Sequence, residues 1–117
     1  MGEDLPDAGV RPVRIAETWE VEPGTIRRVE IPGHDAIALV RQDDRFFALS
    51  DRCTHGDASL ADGELEEGQL FCPFHGGAFN VETGKATRYP CTEPLRCYKL
   101  EVRGEEIFAE LDCPVGT

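Results

Sequence analysis

Two short boxes that each end in glycine constrain this chain more than any other feature. Cys53-Thr54-His55-Gly56 and Cys72-Pro73-Phe74-His75-Gly76-Gly77 give the spacing C-x-H, sixteen residues, then C-x-x-H. Two tight loops of this form can carry two thiolates and two imidazoles to a common point. Their glycines let the backbone wrap closely round a bulky inorganic group, with amide N–H groups turned towards it. The flanking sequence says what carries the loops.

That scaffold reads as β-structure. Arg11 to Glu17 and Ile26 to Ile31 alternate, and Pro23-Gly24 between them is a turn signal. Ala36 to Val40 is a near-continuous apolar run, and beyond Asp43-Asp44 the chain returns through Phe46 to Leu49, which predicts a hairpin. Cys97 to Val102 and Ile107 to Leu111 flank Gly104 and predict a second one. No window of eleven or more residues shows helical periodicity. The expected fold is all-β, with short antiparallel strands forming a sandwich-like base. Into it is set a small subdomain over about residues 51–87, rich in Gly, Cys, His and Pro and poor in strand signal. Residues 1–10 read as an acidic tail and 11–117 as one domain.

Charge narrows the partners. The chain has 12 Lys and Arg against 23 Asp and Glu, a formal charge of −11. Nucleic acid is not an expected partner, because binding it draws on a basic face to displace counterions from phosphates. Anionic membrane surfaces are disfavoured for the same reason. The N-terminal residues have neither a basic region nor an apolar run of leader or membrane-span length, and the five cysteines are an odd count. Both point to thiols or metal ligands in a reducing, cytoplasmic setting.

The residues alone leave two inorganic sites open. Cys2His2 is also a zinc set, although structural zinc usually takes its cysteines from a C-x2–4-C knuckle, which neither loop supplies. The other is an iron–sulfur centre. With A-L-x-D-x-C-T-H-G from Ala48 to Gly56, C-P-x-H-G-G-x-F from Cys72 to Phe79, and P-L-x-x-Y at Pro94, Leu95 and Tyr98, the sequence resembles the Rieske [2Fe-2S] family. The resemblance runs from about Val13 to Leu111 and is closest to the small soluble Rieske ferredoxins of bacterial aromatic-ring dioxygenase systems.

The resemblance implies a Rieske fold and one [2Fe-2S] cluster, with Cys53 and Cys72 on one iron and His55 and His75 on the other. Replacing two thiolates by neutral imidazoles removes two negative charges, which lifts the potential from about −400 mV to between about −150 and +300 mV. It also implies a monomeric one-electron carrier that is not itself an enzyme. Its donor would be an NAD(P)H-dependent flavoprotein ferredoxin reductase, and its acceptor a terminal Rieske non-haem iron oxygenase. A Rieske-like small subunit of an assimilatory nitrite reductase is the alternative.

The rest of the chain is consistent with a shuttle. Of three histidines only His34 is left over, so a 2-His-1-carboxylate iron site cannot be assembled. No G-x-G-x-x-G follows a strand, so nothing argues for a nicotinamide or flavin site. His34 reads as an exposed turn residue, Cys113 as an exposed thiol, Cys97 as core, and Trp19 and the Phe46-Phe47 pair as core or scaffold. Cys91, in Tyr89-Pro90-Cys91, reads as a small buried thiol in a third loop that the resemblance places over the cluster. Asp57, Asp62, Glu64, Glu66 and Glu67, with no Lys or Arg between Cys53 and Asn80, are expected to flank the cluster tip and steer it to basic partners.

Respiratory-chain Rieske proteins, by the same resemblance, have an extra cysteine in each loop and a Ser and a Tyr whose hydroxyls donate to sulfur. Here those places hold Ala58, Phe74, Gly77 and Phe79. Fewer hydrogen bonds leave the sulfurs richer in electron density, which disfavours reduction. A midpoint near about −150 mV is expected, and Gly77→Ser with Phe79→Tyr is expected to raise it. A redox titration that places the midpoint well above zero overturns this reading.

Overall fold

The computed structural model describes residues 10–54, 58–73 and 76–112. Its strands, in chain order, are β1 (Val10–Glu17), β2 (Thr25–Ile31), β3 (His34–Gln42), β4 (Arg45–Ser50), β5 (Glu64–Glu66) and β6 (Gln69–Phe71). They continue with β7 (Ala78–Asn80), β8 (Ala86–Arg88), β9 (Cys97–Tyr98), β10 (Leu100–Arg103) and β11 (Glu106–Asp112). Single 3-10 turns at Thr18–Glu20 and Leu60–Asp62 are the only helical elements among the described residues. Pairing is antiparallel throughout, in three sheets ordered β2-β3-β4-β9, β1-β11-β10 and β5-β6-β7-β8.

The apolar run in β3 explains the layering. Successive strand residues face opposite sides of a sheet, and in β3 both sides are covered. Ile37 and Leu39 join Val29, Ala48 and Tyr98 against Ala16, Ile107, Ala109 and Leu111 of the β1-β11-β10 sheet. Ala38 and Val40 point the other way and join Leu49, Leu60, Leu70, Phe79, Val81 and Leu95 in a second core. The β2-β3-β4-β9 sheet is thus the middle layer, and the small β5-β6-β7-β8 sheet packs on its far face. Phe46 and Phe47 divide in the same way, one against each core. Both are only half-buried, capped by Arg41 and Arg45 with guanidinium carbons 5.1 and 5.0 Å from the ring centroids.

The turns lie where the sequence places them. Gly24, Gly33 and Gly104 all take positive φ, and Asp43 does so between β3 and β4. Elsewhere tertiary structure departs from the local pattern. The stretch from Cys97 to Val102 is two strands: Cys97 and Tyr98 pair with β4, and Leu100 to Arg103 pair with β11. Within that first piece Tyr98 takes the core position, so its neighbour Cys97 faces outward and is exposed, against the expectation of a core thiol. Trp19 is also no core residue: it sits in the 3-10 turn after β1 and is 65% exposed. His34 opens β3 and is half-buried, its ring edge-on to Tyr98 at 5.6 Å between centroids. The segment poor in strand signal holds the third sheet up to the last residue of β8, and the signal is weak because strands of three residues are too short for alternation to show.

Gly84 marks where the small sheet meets the middle layer. Its φ is +79°, a Cβ there would overlap the Leu95 carbonyl oxygen, and Cys97 Sγ would lie 2.8 Å away. The Leu95 N–H donates to the Gly84 carbonyl at 2.7 Å across the same contact. Gly84→Ala therefore meets strain from both conformation and space, and is expected to cost at least about 2 kcal/mol. An unchanged chemical-denaturation midpoint would contradict this contact.

Candidate functional site

Both cysteine boxes are built on the same backbone device. After β4, Cys53 donates its N–H to the Ala58 carbonyl at 3.1 Å; after β6, Cys72 donates to the Gly77 carbonyl at 2.7 Å. Each cysteine thus closes a ring on the residue five positions ahead. Cys53 is 2% exposed and Cys72 is 4% exposed, and both belong to the core shared by the middle sheet and the small sheet. Two soft thiols buried in one apolar cluster at the mouths of matching loops suit an iron–sulfur group. His55 and His75, with Asp57, Phe74 and Cys113, lie outside the described residues.

A third loop, between β8 and β9, lies over these two. The Thr54 hydroxyl donates to the Glu93 carbonyl at 2.9 Å, joining it to the first loop. Cys91 is 3% exposed, as its reading as a buried thiol requires, and its Sγ is 3.8 Å from Cys53 Sγ. Burial pushes the Cys91 thiol up to about 12, with the Cys53 and Cys72 side chains adding to the shift. A Cβ built on Gly77 would overlap Cys91 Sγ and lie 3.1 Å from Cys91 N and 3.2 Å from Cys91 Cβ. Phe79 is completely buried. The expected gain from Gly77→Ser with Phe79→Tyr is thus barred at position 77 while Cys91 is in place. The third loop also carries Tyr89, 80% exposed, two residues before Cys91.

Asp51, in the A-L-x-D-x-C run, is a site residue that the sequence alone does not single out. It is 3% exposed and the only buried charged side chain among the described residues. Its Oδ1 accepts from the Ala61 N–H at 2.8 Å and its Oδ2 from the Ser59 hydroxyl at 2.5 Å. Arg28 of β2, half-exposed, approaches Oδ2 at 3.3 Å. The Asp51 backbone donates to Ala36 of the middle sheet at 3.0 Å and accepts from Leu60 at 2.7 Å. One residue therefore fixes both the departure and the return of the first cysteine loop. A carboxylate next to a cysteine box signals nothing in sequence, because its partners are set by how the loop returns through Ser59 and Ala61 and by where β2 places Arg28.

The acidic side chains are arranged differently from the expectation. Glu64 is opposite Phe71 and so lies near Cys72, but Glu66 is opposite Gln69. Glu67 is in the following turn at the far end of the hairpin, where it lines a surface hollow with Gln42 and Asp43. Asp62 lies in the 3-10 turn of the first loop's return. Exposed Arg52 and Arg88 stand beside Cys53 and at the end of β8. The rim near the cysteines is mixed in sign, because the β5–β6 hairpin directs its turn towards the base.

The Rieske [2Fe-2S] domain family matches residues 11–99. The chain belongs to this family. Among relatives of this Rieske chain, Ferredoxin CarAc of Metapseudomonas resinovorans is 45% identical over 82% of the chain and 90% of the relative. The ferredoxin component of the p-cumate 2,3-dioxygenase system of Pseudomonas putida is 39% identical, with 85% of each covered. A solved complex of reduced oxygenase and oxidized ferredoxin in carbazole 1,9a-dioxygenase contains a similar chain, 41% identical with a TM-score of 0.82. The match covers 89% of the Rieske chain and 96% of that chain. A chain described as an NADH-dependent nitrite reductase small subunit, from Mycobacterium tuberculosis, is 17% identical over 86% of this chain and 95% of that one. Its TM-score of 0.75 shows a shared Rieske fold.

Asp51→Ala removes an acceptor from Ser59 and from the Ala61 N–H and one of the two carboxylates beside Arg28, which keeps Glu30 at 2.6 Å. It is expected to lower stability by about 2–4 kcal/mol and to reduce iron retention, with Asp51→Asn milder because Oδ1 survives. Denaturation curves and iron content check this; an Asp51→Ala protein as stable as the parent would refute the role.

Proposed function

We propose that this Rieske protein is the ferredoxin component of an aromatic-ring dioxygenase system. In this reading it passes single electrons from an NAD(P)H-dependent flavoprotein ferredoxin reductase to a terminal Rieske non-haem iron oxygenase. Cys53 and Cys72 hold one iron of a [2Fe-2S] cluster and His55 and His75 the other, within a cluster-binding subdomain of about residues 51–87. The cluster supplies a one-electron couple; the chain supplies its ligands, its dry surroundings and a surface for docking. The observation that carries this reading is the pair of buried cysteines at matched loop mouths in one core. The relatives add support, since they are named as ferredoxins or ferredoxin components of dioxygenase systems, carriers and not catalysts.

The protein acts as a cytoplasmic monomer that meets each partner in turn through a small, transient interface. No helix among the described residues is long and apolar enough to cross a membrane. Tyr89 is the aromatic side chain best placed to anchor that contact. It is exposed on the loop whose Cys91 touches Cys53, and aromatic residues dominate interface energetics. The nitrite reductase subunit is the rival reading, with support at the level of fold alone.

The test is iron content and spectrum, followed by reconstituted turnover. The parent is expected to hold about two irons per chain and to be coloured. Cys53→Ala, Cys72→Ala, His55→Ala and His75→Ala are each expected to lose the cluster, while Cys97→Ala keeps it. Tyr89→Ser is expected to keep the spectrum and lower the bimolecular rate to the oxygenase at least about fivefold. A colourless parent with one zinc and no iron overturns the assignment.

A further inference from the structure

Cys91 occupies a place that the proposed cluster ligation does not use. It is buried, its N–H donates to the Arg88 carbonyl at 3.1 Å, and its Sγ is 3.8 Å from Cys53 Sγ. Gly77 presents bare backbone to it: a side chain there would overlap Cys91 Sγ, although Gly77 does not adopt the left-handed conformation that reserves a position for glycine. The space between the second and third loops therefore belongs to the Cys91 thiol, which is held between the Gly77 backbone and the Cys53 sulfur.

Two thiols at this separation could donate either way. Iron ligation removes that ambiguity, because a thiolate ligand has no proton to give and Cys91 keeps its single S–H. We infer that Cys91 is a positioning and tuning residue whose S–H donates to the iron-bound sulfur of Cys53, favours the reduced cluster and so raises its midpoint. Donation to a ligand sulfur draws electron density from it, which stabilises the added negative charge. Nothing is transferred; the thiol stays intact in both redox states. The inference rests on Cys53 being an iron ligand.

The experiment is spectroscopic redox titration of the intact protein and its Cys91→Ala and Cys91→Ser variants, with iron content measured on each sample. Cys91→Ala is expected to keep its cluster while the reduction equilibrium constant falls two- to tenfold. At 59 mV per tenfold for one electron that is a drop of about 18–59 mV. Cys91→Ser retains a donor and is expected to titrate at or above the parent. Gly77→Ser/Cys91→Gly, which clears the overlap and restores a hydroxyl to the same space, is expected to keep its cluster where Gly77→Ser alone loses it. Should Cys91→Ala prove too unstable to titrate, Cys91→Ser against the parent and the double variant still decides the matter. A loaded Cys91→Ala variant with the parent's midpoint, or a serine variant that falls below the parent, overturns the inference and leaves the ligand assignment standing. A parent without iron removes the ligand assignment itself.

Discussion

The first cysteine loop depends on a single buried carboxylate. Through its backbone Asp51 is a continuation of the middle sheet, and through its side chain it is an anchor for the loop that returns after Cys53. Burying a charge is costly unless its oxygens are occupied. Here they are, by a hydroxyl, an amide and a guanidinium. The arrangement fixes the loop to the sheet without drawing on the cysteines, which are left for other work. Among the described residues no comparable carboxylate stands at the second loop, which is carried by the short β6–β7 hairpin and by the Cys72 to Gly77 bond.

The parts of this architecture legible in the sequence are those in which a local pattern and the tertiary environment agree. The run from Ala36 to Val40 reads as apolar on every residue because both faces of β3 are covered, and the hairpin turns announce themselves through glycine and aspartate. The boxes at Cys53 and Cys72 are legible because each sets a cysteine, a histidine and a glycine at short fixed spacing, in a loop that one backbone bond closes over five residues. The third sheet was hidden, since a three-residue strand has one or two inward positions and no period. Cys97 was misplaced because neighbours on a strand cannot both face one core, and the larger Tyr98 takes the place. Glu66 and Glu67 lie away from the cysteines for a different reason. Proximity in sequence to a cysteine says little when a hairpin turns the chain round after three residues.

The third loop shows how a site can be shaped by exclusion. Gly77 is free of conformational strain, so its lack of a side chain is explained by the sulfur opposite rather than by the turn it sits in. Positions 77 and 91 share one volume, and only one of them can fill it. Neither position is understood alone, because the bare backbone at Gly77 and the buried sulfur of Cys91 are one packed contact.

The two-sided burial of β3 bears on modularity. The small sheet looks like a cassette set between Ser50 and Cys97, but its core includes Ala38, Val40 and Leu49 from the sheet beneath it. Lifted out of this chain, the cassette would leave that floor behind and expose Leu70, Phe79 and Val81 to water. The loops can therefore diverge in sequence as a unit, but they cannot travel between unrelated hosts without the strand that underlies them.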